Sequence, residues 1–107
     1  MQLDRPNLSY IQELADGDAD FQASLIAILK KELPKEKEAF IESIEAENYQ
    51  NSAEHVHKIK HKISILGLEK SYELAIAFEE ELKNGNPKQY DTFLRILQNM
   101  EEFLMTI

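Results

Sequence analysis

The chain has 107 residues, of which 43% are hydrophobic and 30% charged, with three glycines, three prolines and no cysteine. This composition is typical of one helix-rich globular domain, so we expect residues 1–107 to form a single domain. The absence of cysteine excludes disulfides, thiolate metal sites and cysteine nucleophiles. The net charge of −8 should repel nucleic acid and anionic lipid, so we expect the partners to be proteins.

Signals for membrane insertion or export are missing from the sequence. No run of about 18 apolar residues occurs, as a membrane-spanning helix would require. The first residues contain neither the basic nor the apolar region of a signal peptide. We therefore expect a cytoplasmic protein.

Apolar residues in the first half of the chain recur with helical spacing. Ser9 followed by Gln12 has the form of a capping box, which predicts a short helix that ends at Asp16-Gly17-Asp18. A longer helix is predicted from Asp18. Its apolar stripe consists of Phe21, Leu25, Ile28, Leu29 and Leu33. Pro34 lacks an amide hydrogen and crowds the preceding turn, so we expect a new or sharply bent helix from that point.

Three further helices are predicted in the second half, each with one apolar stripe. The first ends at Gly67, and its stripe consists of Val56, Ile59, Ile63 and Leu66. The stripe of the second consists of Leu68, Tyr72, Ala75, Phe78 and Leu82. The last begins near Asn86 and Pro87, where asparagine can cap the helix and proline can occupy its first turn. Its stripe consists of Tyr90, Phe93, Leu94, Leu97, Met100 and Leu104.

These stripes must be buried against one another, which determines the expected architecture. The prediction is an all-α fold: an antiparallel up-and-down four-helix bundle with one or two short additional helices at the N-terminus. The charged runs Lys30-Lys31-Glu32 and Glu79-Glu80-Glu81 are typical of solvated helix faces. We assign them no chemistry.

All three histidines, His55, His57 and His61, lie within seven positions of one predicted helix. At about 100° per residue, His57, His61, Lys60 and Ser64 fall on an arc centred roughly 125° from the apolar stripe. His57 should therefore face solvent. His55 falls on the shoulder of the stripe, as expected of a partly buried histidine with a local hydrogen bond.

His57 and Lys60 have the side chains that a phosphoryl acceptor needs. An exposed neutral imidazole is a nucleophile because one ring nitrogen keeps a free lone pair. Lys60, three residues on, can reach a group bound to the His57 ring and offset phosphoryl charge. The same pair is common on solvated helix faces, so the spacing alone does not identify the chemistry. The chain has no glycine-rich nucleotide loop, so we expect no ATP-dependent kinase activity.

The segment from His57 to Gly67, HKIKHKISILG, resembles the signature of histidine-containing phosphotransfer domains. That signature is H-x-[L/I]-K-G followed six residues later by glycine, and four of its five key positions match. In addition, Asn48-Tyr49 stands where the family often has an Asp-Trp pair. The resemblance covers most of the chain in pattern.

The resemblance implies a phosphorelay intermediate with His57 as phosphoacceptor, Lys60 as charge-compensating neighbour and Gly67 as a turn or packing position. His61 and Ser64 would lie on the face that meets the partner. The implied partners are receiver domains of response regulators and a hybrid sensor histidine kinase. The receiver would supply Mg²⁺ and a lysine, so we expect no cofactor or metal in this chain. We also expect a monomer.

The chain departs from the signature at His61, which replaces a glycine where the partner's loop approaches. This histidine could crowd the receiver, donate a hydrogen bond to the phosphoryl oxygens, or mark a relative that no longer transfers phosphate. One alternative function is an adaptor bundle that binds a receiver or kinase without accepting phosphate. Another is a metal-binding bundle, because His57 and His61 at i and i+4 can chelate a divalent ion and Glu54-x-x-His57 has the form used in di-iron bundles. Only one such motif is present, so we rank this alternative last.

Overall fold

The computed structural model describes residues 3–107, which form five α-helices and no β-strand within that range. The helices are α1 (Ser9–Ala15), α2 (Ala19–Glu45), α3 (Tyr49–Ile65), α4 (Glu69–Lys83) and α5 (Tyr90–Met105). The all-α prediction is confirmed. Residues 1 and 2 of the predicted single domain lie outside the described residues. No helix between residues 3 and 107 is long and apolar enough to cross a membrane.

Helices α2 to α5 form a ring in which each helix contacts the next and α5 returns to α2. Two contacts show that α2 and α5 are antiparallel. Lys30 Nζ donates to the carbonyl of Ile107, whereas Lys37 Nζ, which is later in α2, lies 2.7 Å from Glu101 Oε1, which is earlier in the chain than Ile107. Connections of three to six residues join consecutive helices, which therefore pack antiparallel. The bundle is the predicted one, with one short helix, α1, before it.

The core of the bundle is built around three phenylalanines from three helices. Phe40 of α2 lies 6.1 Å from Phe78 of α4 and 5.2 Å from Phe93 of α5, between ring centroids. All three side chains are fully buried. Burial of one such side chain stabilises the fold by about 1.5–3 kcal/mol, so these contacts hold α4 and α5 on α2.

The expectation of a new helix from Pro34 is wrong, because α2 continues from Ala19 to Glu45. Pro34 is exposed, so its ring projects toward solvent and removes one backbone hydrogen bond on that side. Leu33 and Phe40 are buried on the core side of the same helix. Packing of these flanking turns therefore keeps the two halves of α2 in one helix.

The predicted apolar stripe at the start of α2 is only partly buried. Phe21 and Ile28 are 46% and 48% exposed, whereas Leu29 and Leu33 are buried. α2 has 27 residues and its bundle neighbours have 15 to 17, and the end of α5 contacts α2 at Lys30. The first turns of α2 thus extend past the bundle, where α1 covers them incompletely.

Two predicted helix caps are replaced by other contacts. Ser9 is the first residue of α1 and not its cap, and its amide donates to Asn7 Oδ1 instead. Asn86 Oδ1 accepts from the Lys88 amide in the loop before α5, which begins only at Tyr90. By contrast, Asp18 caps α2, because its side chain accepts from the Phe21 amide.

The N-terminal segment, residues 3–8, is attached to the turn between α3 and α4. The residue at the N-cap position of α4, Leu68, makes no side-chain capping bond. Instead, the Asp4 side chain accepts hydrogen bonds from the Lys70 amide and from the Ser71 hydroxyl. The Asn7 amide donates to the Leu66 carbonyl at the end of α3. Asp4 therefore supplies the missing cap from a distant part of the chain.

Gly67 ends α3 in a Schellman motif, in which the Leu68 amide donates to the Ile63 carbonyl and the Gly67 amide to the Ser64 carbonyl. Its φ of +74° is in the left-handed region. A Cβ at this position would lie 2.5 Å from the Asn7 side-chain amide. Gly67 is thus a turn and packing position that lets the N-terminal segment pass close to the turn between α3 and α4.

We predict that Gly67→Ala destabilises the protein by about 2 kcal/mol or more, from left-handed strain plus the clash with Asn7. Gly85→Ala is the matched control, because Gly85 also ends a helix at positive φ but has open space around the added Cβ. It should cost only about 1 kcal/mol. Urea denaturation of both variants measures the difference, and equal losses would contradict the close crossing.

Candidate functional site

Helix α3 has a buried face that determines which way its histidines point. Val56 and Ile59 are fully buried in the bundle, which fixes the rotation of the helix about its axis. The His57 side chain is 55% exposed, and His61 and Ser64 are exposed as well. The prediction that His57 faces solvent is confirmed.

One carboxylate from α4 contacts His57 and Lys60 together. Glu79 Oε1 lies 3.3 Å from His57 Nδ1 and 3.1 Å from Lys60 Nζ, and its other oxygen lies 3.4 Å from Lys83 Nζ. The Glu79 side chain is only 11% exposed. The expectation that the run Glu79-Glu80-Glu81 is a solvated face is therefore wrong for Glu79, because α3 covers it.

The charge state of Glu79 determines the tautomer of His57. Burial raises the pKa of Glu79, but hydrogen bonds from Lys60 and His57 outweigh burial and hold the pKa below its usual value. Glu79 is thus ionised at neutral pH, and an ionised carboxylate only accepts hydrogen bonds. His57 Nδ1 must donate the proton, which leaves the lone pair on Nε2 at the far side of the ring.

Lys60 is held between α3 and α4. Its side chain is 13% exposed, less than its place on the polar arc of α3 suggested, because α4 covers that part of the arc. Its ammonium lies 5.9 Å from the centroid of the Tyr72 ring, within the range of a cation–π contact. The positive charge of Lys60 is thereby kept beside His57.

The remaining predicted residues surround this group. His61 follows His57 by one helical turn, and the two ring centroids are 5.3 Å apart. His55 is half-buried on α3, as expected. Ser64 borders a shallow groove between the end of α3, the start of α4 and α1, lined also by Tyr10 and Tyr72.

The sequence of this chain matches a known protein family. The model of the Hpt domain family matches residues 24–104, which is most of the chain. The chain belongs to the Hpt domain family. It matched none of the curated proteins and none of the solved structures. As an Hpt domain it has a phosphotransfer role in phosphorelay signalling, as a phosphoryl carrier that interacts with receiver domains and kinases.

The family match begins at residue 24, after α1 and the N-terminal segment. In this Hpt domain the cap from Asp4 and the close approach of Asn7 to Gly67 therefore come from residues outside the matched region. Tyr10, which lines the groove beside Ser64, also lies outside it.

Glu79, the residue that organises the site of this Hpt domain, is not among the site residues predicted from the sequence. The signal for it was present in the helical spacing of α4. Glu79 follows Ala75 by four residues and precedes Leu82 by three, and both of these are buried. An acidic residue within an apolar stripe predicts a buried carboxylate that needs a cationic partner.

We predict that Glu79→Gln lowers the free energy of unfolding by about 1–3 kcal/mol at neutral pH, the contribution of a charge-assisted hydrogen-bond network. The pKa of Glu79 is lower in the folded protein than in the unfolded chain. Its ionisation therefore stabilises the fold at pH values above the unfolded-state pKa, and this stabilisation is lost as the pH falls through the folded-state pKa. The difference between wild type and variant should therefore shrink from pH 7 toward acid. Chemical denaturation across this pH range measures it.

The control is Glu80→Gln, since the neighbouring Glu80 side chain is 67% exposed. Its effect on stability should be small at every pH. A Glu79→Gln effect that is equally small, or independent of pH, would show that Glu79 is not held as an ion by its partners.

Proposed function

We propose that this Hpt domain is a phosphorelay intermediate in which His57 accepts a phosphoryl group from a receiver-domain aspartate and passes it to another receiver. The observation that carries the proposal is the contact between His57 Nδ1 and Glu79. In the neutral ring this contact leaves the lone pair on Nε2, on an imidazole that is more than half exposed. The nucleophilic lone pair is thus presented to a partner.

The proposed transfer is an in-line displacement at phosphorus. His57 Nε2 forms the new N–P bond, the bond between phosphorus and the aspartyl oxygen breaks, and the electron pair leaves with the receiver's carboxylate. The imidazole gains positive charge as the bond forms. Glu79 accepts from Nδ1–H and is ionised, so it stabilises that charge, as the aspartate does in a Ser-His-Asp triad.

Positioning and charge neutralisation supply most of the acceleration in phosphoryl transfer. In this chain Lys60 would contribute positive charge beside the His57 ring that carries the phosphoryl group, since its ammonium shares an oxygen of Glu79 with His57. Mg²⁺ and a further lysine are expected on the receiver. This division of roles suits a phosphoryl carrier, which would position the nucleophile while the partner would supply the metal ion and the second lysine.

The face around His57 also supports a receiver as partner. His61, Ser64 and the groove lined by Tyr10 continue this face toward α1. Beyond them α1 and α2 expose large apolar side chains, namely Tyr10, Leu14, Phe21 and Ile28. Apolar side chains bordered by polar groups are typical of protein interaction surfaces, and His61 and Ser64 would contact the docked receiver.

The direct test is phosphotransfer from a phosphorylated receiver to the wild type and to His57→Gln. The substitution should abolish transfer while helicity and melting temperature stay nearly unchanged, because Lys60 and Lys83 still pair with Glu79. His55→Gln is the matched control on the same helix and should accept phosphate normally. The phosphorylated product should be acid-labile and stable in base, as a phosphohistidine is.

Full transfer to His57→Gln would refute the assignment of the acceptor. Binding of a phosphorylated receiver without any transfer to the wild type would instead favour an adaptor that does not accept phosphate.

We predict that Lys60→Ala slows transfer by about tenfold, since it removes a positive charge beside the His57 ring and a barrier increase of about 1.4 kcal/mol slows a reaction tenfold. Lys58→Ala is the control, because Lys58 is exposed near His57 but makes no contact with Glu79. Rapid-quench kinetics with one phosphorylated receiver compares the two. Equal rates for both variants would make Lys60 a structural partner of Glu79 only.

A further inference from the structure

His61 lies one helical turn beyond His57 on the same exposed face of α3. The two ring centroids are 5.3 Å apart and the ring planes meet at 86°, so the edge of one imidazole packs on the face of the other. We propose that His61 determines which receiver domains can phosphorylate His57, by excluding receivers that set a bulky apolar side chain against it. This proposal rests on the proposed function and names a requirement on the partner.

A receiver that delivers a phosphoryl group to His57 must also cover His61. Each partner in a specific protein complex buries about 800 Å² of its surface. Successive turns of a helix are only about 5.4 Å apart. A protein in contact with the His57 ring therefore also meets the exposed ring one turn away. A small phosphodonor can reach His57 and leave His61 in water.

The other polar neighbours of His57 offer a partner much less surface. Glu79 and Lys60 contact each other between α3 and α4, and their side chains are only 11% and 13% exposed. His61 instead stands on the open side of the acceptor ring. Among the groups that surround His57, His61 is thus well placed to sense the shape of the docked protein.

Covering His61 with a bulky apolar side chain carries two costs. An imidazole has at least one N–H donor in either charge state, and burial of a donor without an acceptor is unfavourable. The ring can avoid the incoming side chain only by changing rotamer, and the His57 ring already occupies one side of it. A receiver with a small residue or a hydrogen-bond acceptor at this position avoids both costs. Proteins discriminate between partners by such repulsive contacts.

The test compares transfer from a panel of phosphorylated receivers to the wild type and to His61→Ala. Alanine removes the ring and is the best helix former, so α3 is preserved. Receivers that are slow with the wild type should become about tenfold faster or more with His61→Ala, because the cost of the covered imidazole disappears. Receivers that are fast with the wild type should change little. Rapid-quench kinetics measures both groups.

The matched control is His55→Ala, which removes an imidazole from the half-buried side of the same helix. It should leave the order of the receivers unchanged. Rates that change by the same factor for every receiver in His61→Ala, or for none, would overturn the selection.

Phosphoramidate separates an effect on the partner from an effect on the chemistry. In this reaction the bond between His57 Nε2 and phosphorus forms, the phosphorus–nitrogen bond of the donor breaks, and ammonia leaves with the electron pair. The wild type and His61→Ala should react at equal rates, because this small donor does not cover His61. A change in this rate that matches the change seen with receivers would show that His61 acts on the transfer step, and would overturn partner selection.

The same measurements distinguish failure of the selection from failure of the proposed function. A wild type that accepts phosphate from neither receivers nor phosphoramidate would overturn both. Phosphorylation of the wild type with the same receiver preference in His61→Ala would overturn the selection and leave His57 as the acceptor.

Discussion

The buried carboxylate of Glu79 is the group on which the geometry of this site depends. An anion in that position is stable only if cations and hydrogen-bond donors compensate for the lost water. His57, Lys60 and Lys83 supply that compensation from two adjacent helices. The same contacts orient the imidazole and keep a lysine beside it, so the stability of the bundle and the arrangement of the site have one physical cause.

The bundle contributes rigidity rather than reactive groups. Fully buried Val56 and Ile59 fix the rotation of α3, and the Schellman turn at Gly67 fixes where it ends. The N-terminal segment then closes that turn through Asn7. Because a nucleophilic nitrogen needs only to be placed and left accessible, a small rigid bundle suits a phosphoryl carrier.

Much of this architecture was predictable from the sequence because it depends on local spacing. The stripe Val56, Ile59 and Ile63 predicted both the helix and its buried side, and the exposure of His57 follows from the same 3.6-residue period. Pro34 was misjudged because the cost of one lost hydrogen bond is local, whereas the packing that outweighs it involves residues of other helices. The capping role expected of Ser9 is not found, because Ser9 lies inside α1 and its amide donates a hydrogen bond to Asn7 Oδ1.

The sequence by itself determined the all-helical class, the solvent-facing side of α3 and the signature that contains His57 and Lys60, since all three follow from residue types at fixed short spacings. Only the tertiary structure decided that Glu79, 22 positions from His57, is buried against it and sets its tautomer. It also decided that Asp4 caps α4 and that Phe21 stays exposed. These contacts depend on how helices of unequal length align, and that alignment results from packing of the whole core rather than from any local pattern.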